Sequence, residues 1–226
     1  MTGEQSSIHG PRAVLWDMDG TLIDSAEYHW LTWRDTLAGE GHALTDAQFA
    51  SWFGQRNDAI LRRYFGEGIT PAEISRLGEA KEAAYRNLVR ARGIEPLPGV
   101  RRWLARLRDT GWRQAVASSA PPANIEVIIE VLGLAGVFDA WVSAEEVAHG
   151  KPAPDVFLRA AEKLRVAPAR SVVVEDAPAG VEAGRRGGMH TIGLTSMARP
   201  LDADIVVASL EELQEDAFER LLGDSR

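Results

Sequence analysis

Cysteine is absent from the 226 residues, so disulfides, thiolate metal sites and cysteine nucleophiles are all excluded. Long apolar runs are absent too, and none approaches the length of a membrane span. The opening MTGEQSSIHGPR has no apolar segment of the kind a signal peptide needs, so a cytoplasmic location is the expectation. Positive charge is in short supply: 25 Lys and Arg stand against 33 Asp and Glu, for a net charge of −8. That balance argues against a nucleic-acid partner, whose phosphates call for a basic face. Internal repeats and low-complexity segments are missing as well. What remains is ordinary for a soluble globular chain, with 45% hydrophobic and 26% charged residues. The length suffices for one large domain, or for one domain with an insert, and nothing requires more than a monomer.

Residues 1–12 read as a loose tail. Ala13-Val14-Leu15-Trp16 then reads as a short buried strand that delivers Asp17-Met18-Asp19-Gly20-Thr21. From Ser25 to about Gly93 the texture is helical. Ser25 stands at an N-cap position, Thr45-Asp46-Ala47-Gln48 and Thr70-Pro71-Ala72-Glu73 have the capping-box pattern, and a further helix spans about 57–65. After the stiff segment Glu95-Pro96-Leu97-Pro98-Gly99, strands near 114–118, 141–143, 171–176, 190–194 and 205–207 alternate with helices. The last helix is expected to be capped at Ser209-Leu210-Glu211-Glu212. Alternating units of this length imply an α/β fold: a Rossmann-like parallel sheet with helices on both faces. Residues 1–24 and 95–226 would form this core, and 25–94 an inserted all-helical cap.

In such sheets ligands bind beyond the carboxyl ends of the strands. Four of these ends carry polar groups: Asp17 with Asp19, Ser118 with Ser119, Lys151 after the third strand, and Glu175 with Asp176. Taken singly, each has a plain alternative. Asp17 to Gly20 is a polar turn, Ser118-Ser119 before two prolines a turn and cap, and Lys151 a solvated lysine. The acids that end Val172-Val173-Val174 are harder to set aside, because carboxylates close to a sheet are costly unless paired or metal-bound. If the acids converge, each close pair repels by ~4 kcal/mol at an effective dielectric near 20. One lysine cannot offset several such pairs, so protons or a divalent cation must be present. An all-oxygen site with room for waters suits Mg2+. Cation, lysine, serine hydroxyl and backbone N–H groups together make a receptor for a phosphoryl group, and a carboxylate can attack it to form an acyl-phosphate.

DMDGT, the serine after the second strand, GKPAPDVF and VVVEDAPAG resemble, in order, the four motifs of the haloacid dehalogenase superfamily of phosphotransferases. The resemblance covers essentially the whole chain. DMDGTLIDSAEYHWLTWRDTL is most similar to the β-phosphoglucomutase-like branch, mostly sugar-phosphate phosphatases with some mutases. It implies Asp17 as nucleophile and Asp19 as the acid that protonates the leaving alkoxide and then the base that activates water. It implies Mg2+ held by the Asp17 carboxylate, the Asp19 backbone carbonyl and Asp176, with Glu175 bound directly or supporting from behind. Ser118 and Lys151 would hold phosphoryl oxygens, Ser119 would add its N–H, and Gly20 would let the backbone approach closely. An acid at the position of Asp19 argues against dehalogenation, since a halide needs no proton to leave.

His29 and Trp33 share a helix face, and the resemblance places both, with Lys81, near substrate. Trp30 and Trp52 read as the cap's own core. Arg56, in Gly54-Gln55-Arg56-Asn57-Asp58, resembles a phosphate- or sugar-reading anchor, but it follows the glycine by two residues where the mutase places its arginine three after. That departure favours a phosphatase. The expected function is a Mg2+-dependent phosphatase acting on a small phosphorylated metabolite, a sugar phosphate by resemblance. A β-phosphoglucomutase is the alternative, and a non-enzymatic metabolite-binding protein the third reading.

Overall fold

The computed structural model describes residues 10–195 and 200–224. Of the expected N-terminal tail, residues 1–9 lie outside the described residues. By Arg12 the chain is already tied down: its guanidinium donates to the Thr110 carbonyl at 2.9 Å and lies over the Trp112 ring.

Strand β1 (Ala13–Trp16) is completely buried, which is why its four residues are apolar without alternation. It pairs in parallel with β2 (Arg113–Ala117) on one side and β4 (Ser171–Glu175) on the other. β3 (Ala140–Val142) lies beyond β2, while β5 (His190–Leu194) and β6 (Ile205–Val207) extend the far edge. The order is β3-β2-β1-β4-β5-β6, parallel throughout. The chain runs outward from β1 to one edge and then returns to build the other. The crevice beside β1 is therefore the switch point where such sheets bind ligands. Register sharpens this, because Trp16 lies opposite both Val116 and Val174. Asp17, Ser118 and Glu175 thus leave the sheet at nearly one level.

Successive strand residues face opposite layers. Val14, Trp16, Val116, Val172 and Val174 pack under α5 (Val100–Asp109), α6 (Pro122–Val131) and α9 (Ala217–Leu221). Ala13, Leu15, Ala115, Ala117 and Val173 pack under α7 (Asp155–Leu164) and α8 (Pro178–Arg186). One boundary differs from expectation. Ser209 accepts from the Glu211 N–H and opens only a short 3-10 turn at Leu210–Glu212, and the last helix begins later, at Ala217. Among the described residues, no helix is long and apolar enough to cross a membrane.

Between β1 and α5 run α1 (Ala26–Gly39), α2 (Asp46–Trp52), α3 (Asn57–Phe65) and α4 (Pro71–Arg92). Thr45 with Gln48 and Thr70 with Glu73 close both expected capping boxes. These helices share an apolar cluster of their own that includes Trp33, Leu37, Trp52, Leu61 and Leu77, and Trp30 packs against it beside Phe49. Helix α4 belongs to both bodies: Leu77 joins that cluster, whereas Tyr85 and Val89 join the core under the sheet. The chain enters and leaves the helical segment side by side, with Ile23 bridged to Pro96 and the Leu97 N–H donating to the Leu22 carbonyl at 2.9 Å.

Candidate active site

Asp17 is the first residue past β1, and its N–H still donates to the Val174 carbonyl at 3.0 Å, so the sheet itself aims it. A tight turn follows, in which the N–H groups of Leu22 and Ile23 donate to the Met18 carbonyl. Gly20 makes that turn possible. Its φ is +91°, and a Cβ there would stand 2.2 Å from Asp176 Oδ2. The closeness of Gly20 to the acids is therefore a matter of absent volume.

The Lys151 ammonium donates to Asp17 Oδ1 at 2.5 Å and to Glu175 Oε1 at 2.7 Å, tying the loop after β3 to the ends of β1 and β4. The second oxygen of Glu175 accepts from the Ala177 N–H at 2.7 Å, so both its oxygens already have protein donors. The carboxylates of Asp17, Glu175 and Asp176 each place one oxygen within 4.8 Å of the others. All three acids are buried, and Lys151 is the cation paired with this group. Burial is the largest influence on Asp17. With Glu175 and Asp19 adding to it, burial outweighs Lys151 and pushes the carboxyl up to about 7. Burial and the neighbouring Glu175 and Asp17 push Asp176 up to about 8. Lys151 is held above its ordinary value: burial opposes its charge, but Asp17 and Glu175 more than compensate.

Asp19 faces the other way. Its Oδ1 accepts from the Ser25 hydroxyl at 2.5 Å and from His29 Nε2 at 3.2 Å. Burial would raise its pKa, but His29 above all, then Ser25, hold it below the usual carboxylate value. The Lys81 ammonium donates to His29 Nδ1 at 2.7 Å, so the ring proton lies on Nε2 and points at Asp19. The imidazole is clamped flat on Tyr85, with ring centroids 4.2 Å apart. Ser25 stands where the sequence placed it but uses its hydroxyl differently. It stands at the N-cap of α1, but its side chain makes no cap bond because the hydroxyl is committed to Asp19.

A cleft opens between the strand ends and the helical segment. Asp17, Asp19, Ser118 and Ser119 line its floor; His29, Trp33 and Lys81 line its opposite wall. Lys151, Glu175 and Asp176 line the adjoining cavity, which shares Asp17 and Asp19. Ser118 Oγ accepts from the Ala120 N–H at 3.1 Å, shaping the loop after β2. Arg56, expected to anchor substrate, does not line this cleft. From the N-cap of α3 its guanidinium donates to the Ala144 and Val147 carbonyls of the loop after β3 and pairs with Asp58. Two residues had no signal in the sequence. Glu82 pairs with Lys81 at 2.8 Å, and Asn124, buried at the start of α6, donates to Glu82 at 2.5 Å.

Residues 11–188 match the haloacid dehalogenase-like hydrolase family. The chain is 34% identical over 213 residues to the beta-phosphoglucomutase of Bacillus subtilis, covering 89% of this chain and 91% of that one. It is 33% identical over 210 residues to hexitol phosphatase A of Escherichia coli, covering 89% and 93%. Among solved structures, a beta-phosphoglucomutase from Clostridium difficile superposes with a TM-score of 0.83 at 25% identity, over 95% of this chain and 98% of that one. Sheet order, helical segment and matched motifs agree, and the chain belongs to the haloacid dehalogenase-like hydrolase family, in its β-phosphoglucomutase-like branch.

Proposed function

We propose that this protein is a Mg2+-dependent phosphomonoesterase that hydrolyses a small phosphorylated metabolite of the sugar-phosphate class through a phosphoryl group carried on Asp17. One observation supports the reading above all others. Lys151 bridges Asp17 and Glu175 in the cavity that adjoins the cleft and shares Asp17 and Asp19 with it, a grouping that suits phosphoryl binding beside a proton-carrying acid, with Ser118 on the cleft floor.

The donor set fits Mg2+. It is all oxygen, it is buried, and without a further cation burial raises Asp17 to about 7 and Asp176 to about 8. The Asp17 carboxylate, Asp176 and the Asp19 backbone carbonyl would hold the ion, while Glu175 steadies Lys151. When bound, Mg2+ supplies the positive charge that keeps Asp17 ionised and offsets charge on the phosphoryl oxygens.

The chain's own groups then account for both half-reactions. A carboxylate oxygen of Asp17 attacks phosphorus as the bond to the substrate's alkoxide oxygen breaks, and Asp19 gives that oxygen a proton. The first step requires Asp19 to hold a proton, and one enters with the anionic ester. Asp19 is then the carboxylate found in this structure, with Ser25 and His29 orienting it. It takes a proton from a water that attacks the same phosphorus, and the bond to Asp17 breaks to release inorganic phosphate. Lys151 and Ser118 hold the phosphoryl oxygens throughout. Residues 25–94 act as a cap that closes over the cleft.

A β-phosphoglucomutase would use the same groups but return the phosphoryl to the sugar, which requires holding a bisphosphate. The position of Arg56, committed to the Ala144 and Val147 carbonyls, favours hydrolysis. The test is a panel of phosphate esters with Mg2+, run beside a coupled assay for β-glucose 1-phosphate conversion. Phosphate release should dominate, and net isomerisation faster than release would overturn the proposal.

The acid cluster also predicts a pH signature. Asp17 and Asp176 have folded-state values of about 7 and about 8, both above the ordinary 3.8. The stability tied to their protonation is therefore complete below the ordinary value and is lost as pH rises through 7 to 8. In chelator, the melting temperature should fall from about pH 4 to about pH 8, and saturating Mg2+ should raise it more at the higher pH. Identical melting curves with and without Mg2+ at both pH values would remove the metal site from the account.

A further inference from the structure

We infer that the cleft admits substrates bearing one anionic group only, and that the Lys81–Glu82 pair at its far end sets this limit. The inference rests on the phosphohydrolase reading and narrows its substrates. The phosphate end of the cleft lies by Lys151 and Ser118, so the remainder of the ester must extend toward the helical segment. Among the described residues lining the cleft there, Lys81 is the single Lys or Arg.

That ammonium is already paired. It donates to Glu82 Oε1 at 2.8 Å and to His29 Nδ1 at 2.7 Å, and the rings of Trp33 and Tyr85 flank it at 5.4 Å each. Glu82 is equally committed, accepting from Asn57 Nδ2 on Oε1 at 2.8 Å and from Asn124 Nδ2 on Oε2 at 2.5 Å. The two side chains are 2% and 6% exposed and cancel each other's charge. A second phosphate, or a carboxylate, arriving here would shed its water, find the Lys81 ammonium already paired and face the Glu82 anion. Burying such a group unpaired is strongly unfavourable. The two arginines of the neighbouring surface are committed elsewhere: Arg56 is directed onto backbone carbonyls, and Arg86 donates to Asn124 Oδ1 at 3.0 Å, outside the lining of this cleft.

The rest of the wall says what is welcome instead. Trp33, Phe49, Trp52, Phe53 and Ile60 offer an apolar surface suited to the C–H face of a sugar ring or polyol chain. Asn57 and Gln55 stand at its edge with their amide N–H groups given to Glu82 and to the Ser51 carbonyl, so they would meet hydroxyls through their amide oxygens. The chemical class is thus a monophosphate ester of an otherwise uncharged polyhydroxylated body. Discrimination of this kind works by excluding the wrong ligand, and it needs no extra contact to the right one.

Matched pairs of esters test it on the full chain with Mg2+: fructose 1-phosphate against fructose 1,6-bisphosphate, and glucose 6-phosphate against 6-phosphogluconate. In each pair the singly anionic member should be favoured in kcat/KM by about 100-fold or more. Glu82→Gln, which leaves Lys81 uncompensated, should narrow the ratio at least about tenfold through a lower KM for the doubly anionic ester. Gln55→Lys, a change at the exposed rim that adds a cation without disturbing the pair, should narrow it in the same direction. Equal use of both members by the unmodified protein overturns the inference while leaving phosphohydrolase activity standing, and this comparison does not depend on whether Glu82→Gln folds. A ratio unmoved in both variants overturns the assignment to charge. No phosphate release from any ester, p-nitrophenyl phosphate included, overturns the phosphohydrolase reading and this inference with it.

Discussion

Asp17→Asn should lower kcat for phosphate release by on the order of 10⁴-fold or more, with the protein still folded. The amide nearly reproduces the carboxylate's shape but has no anionic oxygen to attack phosphorus. Folding should survive because the site already tolerates an uncharged side chain there, burial having pushed Asp17 up to about 7. The loss should fall on kcat, since Ser118 and Lys151 still receive the phosphoryl oxygens. Steady-state phosphate release with Mg2+, measured beside a thermal melt, separates chemistry from unfolding. A folded variant that keeps more than about one-hundredth of the activity would mean that Asp17 is not the nucleophile.

Lys151→Met should have the second largest effect, and it should act on stability as well as on rate. The ammonium is bonded to Asp17 and Glu175, and its side chain is 6% exposed. Removing it leaves a buried carboxylate cluster without its paired cation, a change that typically costs about 3–5 kcal/mol. Methionine fills most of the same volume, so the deficit is one of charge. The pH dependence gives the cause away. Lys151 lowers the Asp17 value, and its loss lets Asp17 rise further. A carboxyl whose folded value is raised adds stability at low pH and loses it as pH climbs. The deficit should thus be small at about pH 5, large at about pH 9, and partly relieved by Mg2+. An equal loss at both pH values would identify a packing defect and leave the electrostatic account without support.

Much of this was legible in the chain because the fold writes its chemistry at strand ends. Four apolar runs each stop at a polar residue, and parallel pairing in register with β1 brings three of those ends level. Turn and cap chemistry marked the helices for the same reason: Thr45 with Gln48 and Thr70 with Glu73 are local arrangements complete within four residues. What could not be read depends on partners outside the local cap or turn. Ser25 carries a cap signature, yet the turn at Gly20 folds Asp19 back within reach of its hydroxyl and the hydrogen bond goes there. Arg56 follows a glycine in a loop that looks like an anchor, but its direction is set by the carbonyls of Ala144 and Val147, 88 and 91 residues away. Glu82 and Asn124 are 42 residues apart and meet only because α4 crosses the start of α6. The short pattern at Ser209 misled for the opposite reason. Its local bonds form, but they close a single turn instead of starting a helix.

The bridge between Ile23 and Pro96 has a further consequence. Where a polypeptide departs from a sheet and returns at adjacent points, the length and shape of the excursion leave the sheet's own register untouched. Selection can therefore lengthen, replace or resurface the helices between those two points while Asp17, Lys151 and Asp176 keep their places. In lineages built this way, inherited chemistry and acquired taste vary separately. Novelty should accumulate in the excursion, and the strand ends should stay still.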